Sequence, residues 1–174
     1  GIQRSSSMFM NCLSFNQKVE IPNSVICTIS MFKNCKHFNQ TIELPADLEE
    51  CNFMFEGCEE FNQSIVLGMK IENCNEMFLG CKSLNHRIEF MTHFKGGYYD
   101  CLKNCDKLQP ENVYIHMKKS AQRVVNQRLC DLWGTEKPKL NTNIIWEKAE
   151  RRKIKITKLT YIYADQNKEE YSKE

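Results

Sequence analysis

The cysteines are the residues in this chain whose type and spacing could do chemistry. Ten are present, and five of them recur every 23 or 24 residues: Cys12, Cys35, Cys58, Cys81 and Cys105. Thiols could form disulfides, bind a metal ion or supply a nucleophile. A nucleophilic site needs one activated cysteine rather than a column of equivalent ones. The spacing therefore predicts small, buried, apolar groups.

Disulfides and zinc are the alternatives for these cysteines. Equivalent residues on stacked units would be close, but their parallel Cβ vectors fit a χ3 of about 90° badly, so reduced thiols are expected. A zinc site would use Cys101 and Cys105 with His86 or His93. No second pair lies at a regular distance, so we expect no metal and no cofactor.

Other catalytic signals are absent from the sequence. His37 and His116 belong to no constellation, and no nucleophile elbow, phosphate-binding loop or H-E-x-x-H motif occurs. We therefore expect a protein that is not an enzyme, with no catalytic residues and no small-molecule substrate. The chain has 174 residues, of which 41% are hydrophobic, so it can bury a core. No apolar run reaches the roughly 18 residues of a membrane span.

The cysteine interval belongs to a longer repeated unit. Its copies read MFMNCLSFNQKVEIP from Met8, MFKNCKHFNQTIELP from Met31, MFEGCEEFNQSIVLG from Met54 and MFLGCKSLNHRIEFM from Met77, with a decayed fifth copy from Cys101. One such unit cannot bury its apolar face alone, whereas stacked units share a continuous core. Ile2 lies 23 residues before Val25, so residues 1–7 are expected to end an earlier unit.

Each unit is predicted to hold one helical turn and one short strand. In the first unit, Met8, Phe9 and Cys12 fall on one face of a helical turn. Apolar residues then alternate up to Pro22, as in a strand with one buried face. A buried amide at the corner could satisfy unpaired backbone groups, which predicts an asparagine ladder beside the cysteine column. Its members are Asn16, Asn39, Asn62 and Asn85. A second column is expected to fill the core: Phe15, Phe38, Phe61 and Leu84.

The unit MFxxCxxFNQxIxLP resembles the BspA-like leucine-rich repeat family over residues 1 to about 115. The resemblance implies an α/β repeat solenoid of leucine-rich-repeat type, with one short strand and one helical turn per 23-residue coil. It also implies adhesion or recognition in bacterial surface or phage-type proteins, without naming a partner. Gln109 and Pro110 replace the Asn-Gln pair in the fifth copy, which indicates that the array ends there.

Two regions are therefore predicted: a solenoid over 1–117 and a small α+β C-terminal cap or docking segment over 118–174. An apolar stripe predicts a helix in the second region, with Ser120 as its N-cap and Gly134 as its stop. The segment IIWEKAERR, 144–152, is expected to form a short helix. The segment KIKITKLTYIY, 153–163, is expected to form either one bulged strand or two short strands, because its alternation breaks near Lys158.

A basic cluster lies within residues 151–158: Arg151, Arg152, Lys153, Lys155 and Lys158. It could contact phosphates, with Tyr161 and Tyr163 stacking on bases. It could also protect a strand edge against aggregation or dock a partner subunit. An intracellular nucleic-acid-associated protein is thus the alternative function.

The outward strand positions vary between otherwise similar copies. They form two columns that we call the outward strip: Lys18, Thr41, Ser64 and Arg87, and Glu20, Glu43, Val66 and Glu89. Variation on a fixed scaffold is typical of a binding strip, and also of any solvated face. We expect the strip to bind another protein or a surface glycan, within a possible larger assembly. The expected setting is a virion or cell surface, with the cytoplasm as the alternative because reduced thiols suit a reducing compartment.

Overall fold

Consecutive units lie side by side and hydrogen-bond through equivalent positions. The computed structural model describes residues 1–91 and 96–147. The N–H groups of Ser7 and Phe9 donate to the carbonyls of Ile29 and Met31, both at 2.9 Å. The same bonds recur in the following units at intervals of about 23 residues. This ladder holds the units in register and satisfies their backbone polar groups.

The predicted helical turn is replaced by tight turns. Two residues of every unit have positive φ, Ser7 (56°) and Asn11 (64°) in the first. A right-handed helix needs negative φ throughout, so the helical-turn prediction is wrong. The second of these positions is asparagine or glycine in every copy, the residue types that best tolerate left-handed backbone. Its occupants are Asn11, Asn34, Gly57, Gly80 and Asn104.

Four parallel strands form one sheet, ordered β1 to β4. Their bounds are Ile65–Leu67 for β1, Ile88–Phe90 for β2, Val113–Lys118 for β3 and Asn143–Glu147 for β4. The first two units carry no strand at the equivalent positions, 19–21 and 42–44. A second ladder of isolated parallel bridges links Arg4, Cys27, Glu50 and Asn73. Backbone pairing between neighbouring units is therefore present on the turn side throughout, and on the strand side only from the third unit onward.

The sheet continues past the repeats. Ile144 of β4 pairs with Ile115 of β3, and Trp146 pairs with Met117. The helix predicted over 144–152 is therefore wrong for 144–147, because these β-prone side chains extend the apolar sheet instead. The rest of that segment lies outside the described residues. Strand β3 also crosses the predicted boundary between 117 and 118. The predicted strand at 153–163 lies outside the described residues.

One helix, α1 (Val125–Trp133), covers the last unit in the described part of the chain. It follows a 3-10 segment, Lys119–Val124, and ends at Gly134, whose φ of 59° confirms the predicted stop. Ser120 lies inside the 3-10 segment, so its predicted capping role is wrong. The N–H groups of Asp100 and Leu102 donate to carbonyls of α1. Carbonyls at the end of α1 thus accept the hydrogen bonds that, in earlier units, are accepted by carbonyls of the next unit.

Two columns of phenylalanine rings fill the core. Phe38 lies 4.3 Å from Phe32 between ring centroids, and Phe61 lies 4.5 Å from Phe55. Each ring also stacks on its counterpart one unit away, at 5.4–6.2 Å. The column predicted from Phe15 to Leu84 is joined by a second that the sequence analysis did not single out: Phe9, Phe32, Phe55 and Phe78.

Candidate binding face

The cysteine column forms a ladder of buried hydrogen-bond donors. The thiol of Cys35 donates to the carbonyl of Phe9 at 2.9 Å, and Cys58 donates to Phe32 at 3.1 Å. Cys81 and Cys105 repeat this contact with carbonyls one unit earlier. Each of these four thiols therefore donates to a neighbouring unit's backbone, and all ten cysteines of the chain are free of disulfide bonds.

Burial suppresses the reactivity of this column. It raises the pKa of Cys35 to about 11 and that of Cys105 to about 12, and it holds Cys81 well above its ordinary value. Thiols kept protonated at neutral pH are poor nucleophiles. Cys12 departs from the predicted burial and is exposed, because no unit lies against its outer side within the described residues.

The asparagine ladder is present, but its members are not buried. The Oδ1 of Asn16 accepts the backbone N–H of Asn39 at 2.9 Å, and the Oδ1 of Asn39 accepts that of Asn62 at 2.9 Å. Asn62 and Asn85 continue the pattern. The expectation of a buried amide is corrected: Asn16 and Asn85 are exposed and the other two are half-buried. Each amide oxygen therefore lies near the protein surface, where it accepts a backbone N–H of the next unit.

Charged residues on another surface pair between units. The carboxylate of Glu59 contacts Lys36 at 3.3 Å and Lys82 at 2.9 Å, each 23 residues away. Asp106, at the same position one unit further on, acts electrostatically on Lys82. We call this alternating column the charge ladder. Hydrogen bonds from Lys82 and Lys36 lower the pKa of Glu59.

The outward strip lies on one face, as its alternation predicts. Seven of its eight residues are exposed, and Glu89 is half-buried. In the sheet, Val66 pairs with Glu89, and Glu89 pairs with Tyr114 of β3. Lys18 and Glu20 form a loose ion pair at 3.8 Å, with both side chains largely exposed. An ion pair of this kind holds its partners weakly, so both remain available to a ligand.

Two depressions are open along the N-terminal half of the strip. The first, of about 660 Å³, lies between residues 18–23 and 40–44. The second, of about 400 Å³, lies between residues 41–46 and β1, with Ser64, Gly68 and Arg87 on its border. We call the second depression the β1 groove. Both occur where neighbouring units lack backbone hydrogen bonds on the strand side. Of the strip residues, Lys18 and Glu20 line the first depression, and Ser64, Val66 and Arg87 line the second. Thr41 and Glu43 line both.

In the C-terminal half of the strip, the side chains contact one another and their neighbours on β3. Two nitrogens of Arg87 contact Oε2 of Glu89, at 3.1 and 2.9 Å, while Nε2 of His116 lies 2.9 Å from Oε1. The guanidinium also lies 3.8 Å from the centre of the Tyr114 ring. Hydrogen bonds from His116 and Arg87 lower the pKa of Glu89. This self-paired cluster is a less accessible surface than the depressions.

Sequence reasoning missed the residues that border the strip. His116 had been assigned no role, yet it contacts Glu89, and Tyr114 covers Arg87. The signal was the register of the decayed fifth copy, which places Tyr114 one unit after Glu89. Ile21 and Leu44 also line the first depression. They are half-buried rather than sealed in the core, which no repeat pattern indicates.

In residues 1–91 and 96–147 no group of three or more His, Cys, Asp or Glu side chains is arranged to hold a metal ion. The basic cluster at 151–158 lies outside the described residues, as do Tyr161 and Tyr163. Among the helices that the structure describes, none is both long and apolar enough to cross a bilayer.

The fold and face define a class of repeat protein, with a parallel sheet and a variable polar strip. Residues 1–92 match the family described as "Mycoplasma protein of unknown function, DUF285", and the chain belongs to that family. Neither a search of curated proteins nor a search of solved structures finds a match. The family description assigns no activity or partner, so the resemblance to BspA-like repeats stays a prediction.

Proposed function

We propose that this chain is a non-enzymatic recognition or structural module, a leucine-rich-repeat-like solenoid with a C-terminal cap. Its outward strip binds another protein or a surface glycan. The setting is a virion or cell surface, within a larger assembly. One observation carries the proposal: the positions that vary between copies converge on the two depressions.

The chemistry of the rest of the described chain supports a binding role. The cysteines that could have been nucleophiles are hydrogen-bonded to backbone, and burial raises the pKa of those in the column core. The asparagine ladder and the phenylalanine columns hold units together. The variable strip residues Lys18, Glu20 and Glu43 are left with no role in packing.

A matched pair of double variants tests this function. Glu20→Lys with Glu43→Lys changes the strip, whereas Glu49→Lys with Glu72→Lys makes the same charge change at exposed sites outside both depressions. The labelled chain is applied to a surface-glycan array and to a displayed library of short peptides. We expect binding that the strip variant loses and the control keeps.

Two results would contradict the proposal. Equal binding by both double variants would show that the strip is not the site. Salt-sensitive binding to a 20-nucleotide DNA or RNA, lost when residues 148–174 are removed, would favour the nucleic-acid alternative, because phosphate contacts weaken steeply with salt.

A further inference from the structure

The first depression is bordered mainly by polar side chains. Its two units are joined at one end, because Oδ1 of Asn16 accepts the backbone N–H of Asn39 at 2.9 Å and Nε2 of Gln40 at 3.0 Å. A ligand of this depression therefore lies across the two units and contacts their outward side chains rather than separating them. The polar residues that line the depression are Lys18, Glu20, Asn23, Gln40, Thr41 and Glu43.

Two of these side chains are held in place by neighbouring units. Gln40 donates one N–H to Asn16, which leaves its second N–H and its carbonyl oxygen for a ligand. The hydroxyl of Thr41 donates to Oε1 of Gln63 at 3.2 Å, so its oxygen can still accept a hydrogen bond. Side chains that are fixed before binding lose less conformational entropy when the ligand arrives.

The other polar groups of the depression include both donors and acceptors. Glu43 is exposed and has no ion pair within residues 1–91 and 96–147, while Glu20 is held only by its 3.8 Å contact with Lys18. Asn23 is also exposed, and its amide donates as well as accepts. A hydroxyl group does both too, so a ligand rich in hydroxyls satisfies this mixed lining. A carboxylate or phosphate ligand only accepts, and it would be repelled by the two glutamates.

Apolar side chains lie between the polar ones. Val19, Ile21 and Leu44 line the depression and are half-buried. A pyranose ring carries C–H groups on its faces and hydroxyl groups around its edge, so it matches an apolar floor with polar side chains at the border. The volume of about 660 Å³ lies within the range of about 300–1,000 Å³ that is usual for small-ligand sites. About one or two sugar rings would be accommodated.

A protein partner would find few anchors on this surface. Protein interfaces depend on aromatic and arginine side chains that become buried in well-packed pockets, and the lining of the first depression contains neither type. The β1 groove offers no alternative anchor, because Arg87 on its border is already engaged by Glu89 and Tyr114. The composition of the depression therefore favours a sugar over a polypeptide.

We propose that the first depression binds one or two rings of a surface glycan that carries no acidic group. The carboxylate of Glu43 accepts hydrogen bonds from neighbouring hydroxyls, which are strong because the acceptor is charged. The amides of Asn23 and Gln40 bind further hydroxyls, and the C–H face of the ring packs on Ile21 and Leu44. This inference rests on the proposed recognition function and selects glycan over protein as its ligand.

Soluble disaccharides provide the test. The ¹⁵N-labelled chain is titrated with four neutral sugars, maltose, cellobiose, lactose and N,N′-diacetylchitobiose, and with digalacturonate as the acidic control. Binding is followed by amide chemical shifts. We expect saturable binding of at least one neutral sugar, with shifts confined to residues 18–23 and 40–44. Glu43→Gln should weaken it about tenfold, the loss expected for hydrogen bonds to a charged group. The matched control, Glu72→Gln, lies at an exposed site outside the depression and should leave binding unchanged.

Saturation transfer from the protein methyl groups gives an independent readout. The C–H protons of one face of the bound ring should receive more saturation than the others, because that face packs on Ile21 and Leu44. Equal binding by Glu43→Gln and wild type, or a preference for digalacturonate, would overturn the inference. Absence of binding by all four neutral sugars would also overturn it. Peptide binding that Glu20→Lys with Glu43→Lys abolishes, without sugar binding, would refute the glycan and leave the recognition function standing.

Discussion

Removing one ring from the middle of the phenylalanine columns should destabilise the chain strongly. Phe38 is fully buried, and its ring lies 4.3 Å from Phe32 and 5.9–6.2 Å from Phe15, Phe55 and Phe61. Backbone bonds hold the units on both sides, so the cavity left by Phe38→Ala cannot close easily. We expect a loss of about 3–5 kcal/mol in the free energy of unfolding.

Two further variants make this prediction quantitative. Phe15 occupies the same column in the first unit and is half-buried, so Phe15→Ala should cost about 1–2 kcal/mol. Phe38→Leu copies the natural occupant of the column at Leu84 and should cost roughly 1.5 kcal/mol. It also keeps the test informative if the alanine variant does not fold.

The assay is urea unfolding followed by far-UV circular dichroism, with variants compared at equal slope. A cost below about 1.5 kcal/mol for Phe38→Ala would refute the cavity argument, since that is the range of a volume-conserving change. Equal costs for Phe15→Ala and Phe38→Ala would refute the claim that stacking from both sides sets the magnitude.

Native alkylation at pH 8, read by intact mass, should label Cys12 and, more slowly, the half-buried Cys130; rapid labelling of all ten thiols would contradict the buried ladder. Burial raises the pKa of Cys35 from 9.0 to about 11. The free energy of unfolding should therefore be unaffected by this thiol below pH 9 and should fall as the pH rises towards 11. A urea midpoint that stays constant over that range would contradict this expectation. The pKa of Glu59 is lowered in the folded chain. Its contribution to the free energy of unfolding should therefore be present above pH 4.5, the ordinary pKa of a glutamate, and be lost as the pH falls through the folded pKa. In acid titrations at fixed urea, Glu59→Gln should make this loss of stability smaller. Gly57 has a φ of +72° and its added Cβ would lie 2.6 Å from an asparagine oxygen, so Gly57→Ala should cost about 1–2 kcal/mol, and an unchanged thermal midpoint would show that the turn adapts.

Sequence alone predicted the repeat period, the residue columns and the outward strip. Each depends only on which residue types recur at fixed intervals of about 23 residues. A residue that recurs every 23 positions has similar neighbours in every inner unit, so its burial there follows from the pattern. The helical turn could not be predicted from apolar spacing alone, because the positions of Met8, Phe9 and Cys12 also suit two consecutive turns. The asparagine or glycine before each cysteine carried the missing information, since that position requires positive φ.

Beyond the repeats, no recurring pattern was present from which the secondary structure could be predicted. Ile144 and Trp146 sit in a segment with a helix-like composition, yet pairing with β3 makes them a strand. A tertiary contact of that kind overrides local propensity. The depressions could not be predicted from the repeat either. Equivalent positions have paired backbones in β1 and β2 but unpaired backbones at 19–21 and 42–44. The difference lies in the pairing between units, and no single unit encodes it.

The charge ladder sets an odd–even rule for changes in the length of the array. Lys36, Glu59, Lys82 and Asp106 alternate in sign at successive units. Deleting the unit that contains Glu59 would bring Lys36 against Lys82, and like charges at neighbouring positions repel. Deleting two units would bring Lys36 against Asp106 and restore attraction. Recombination between units should therefore be tolerated best when it adds or removes units in pairs.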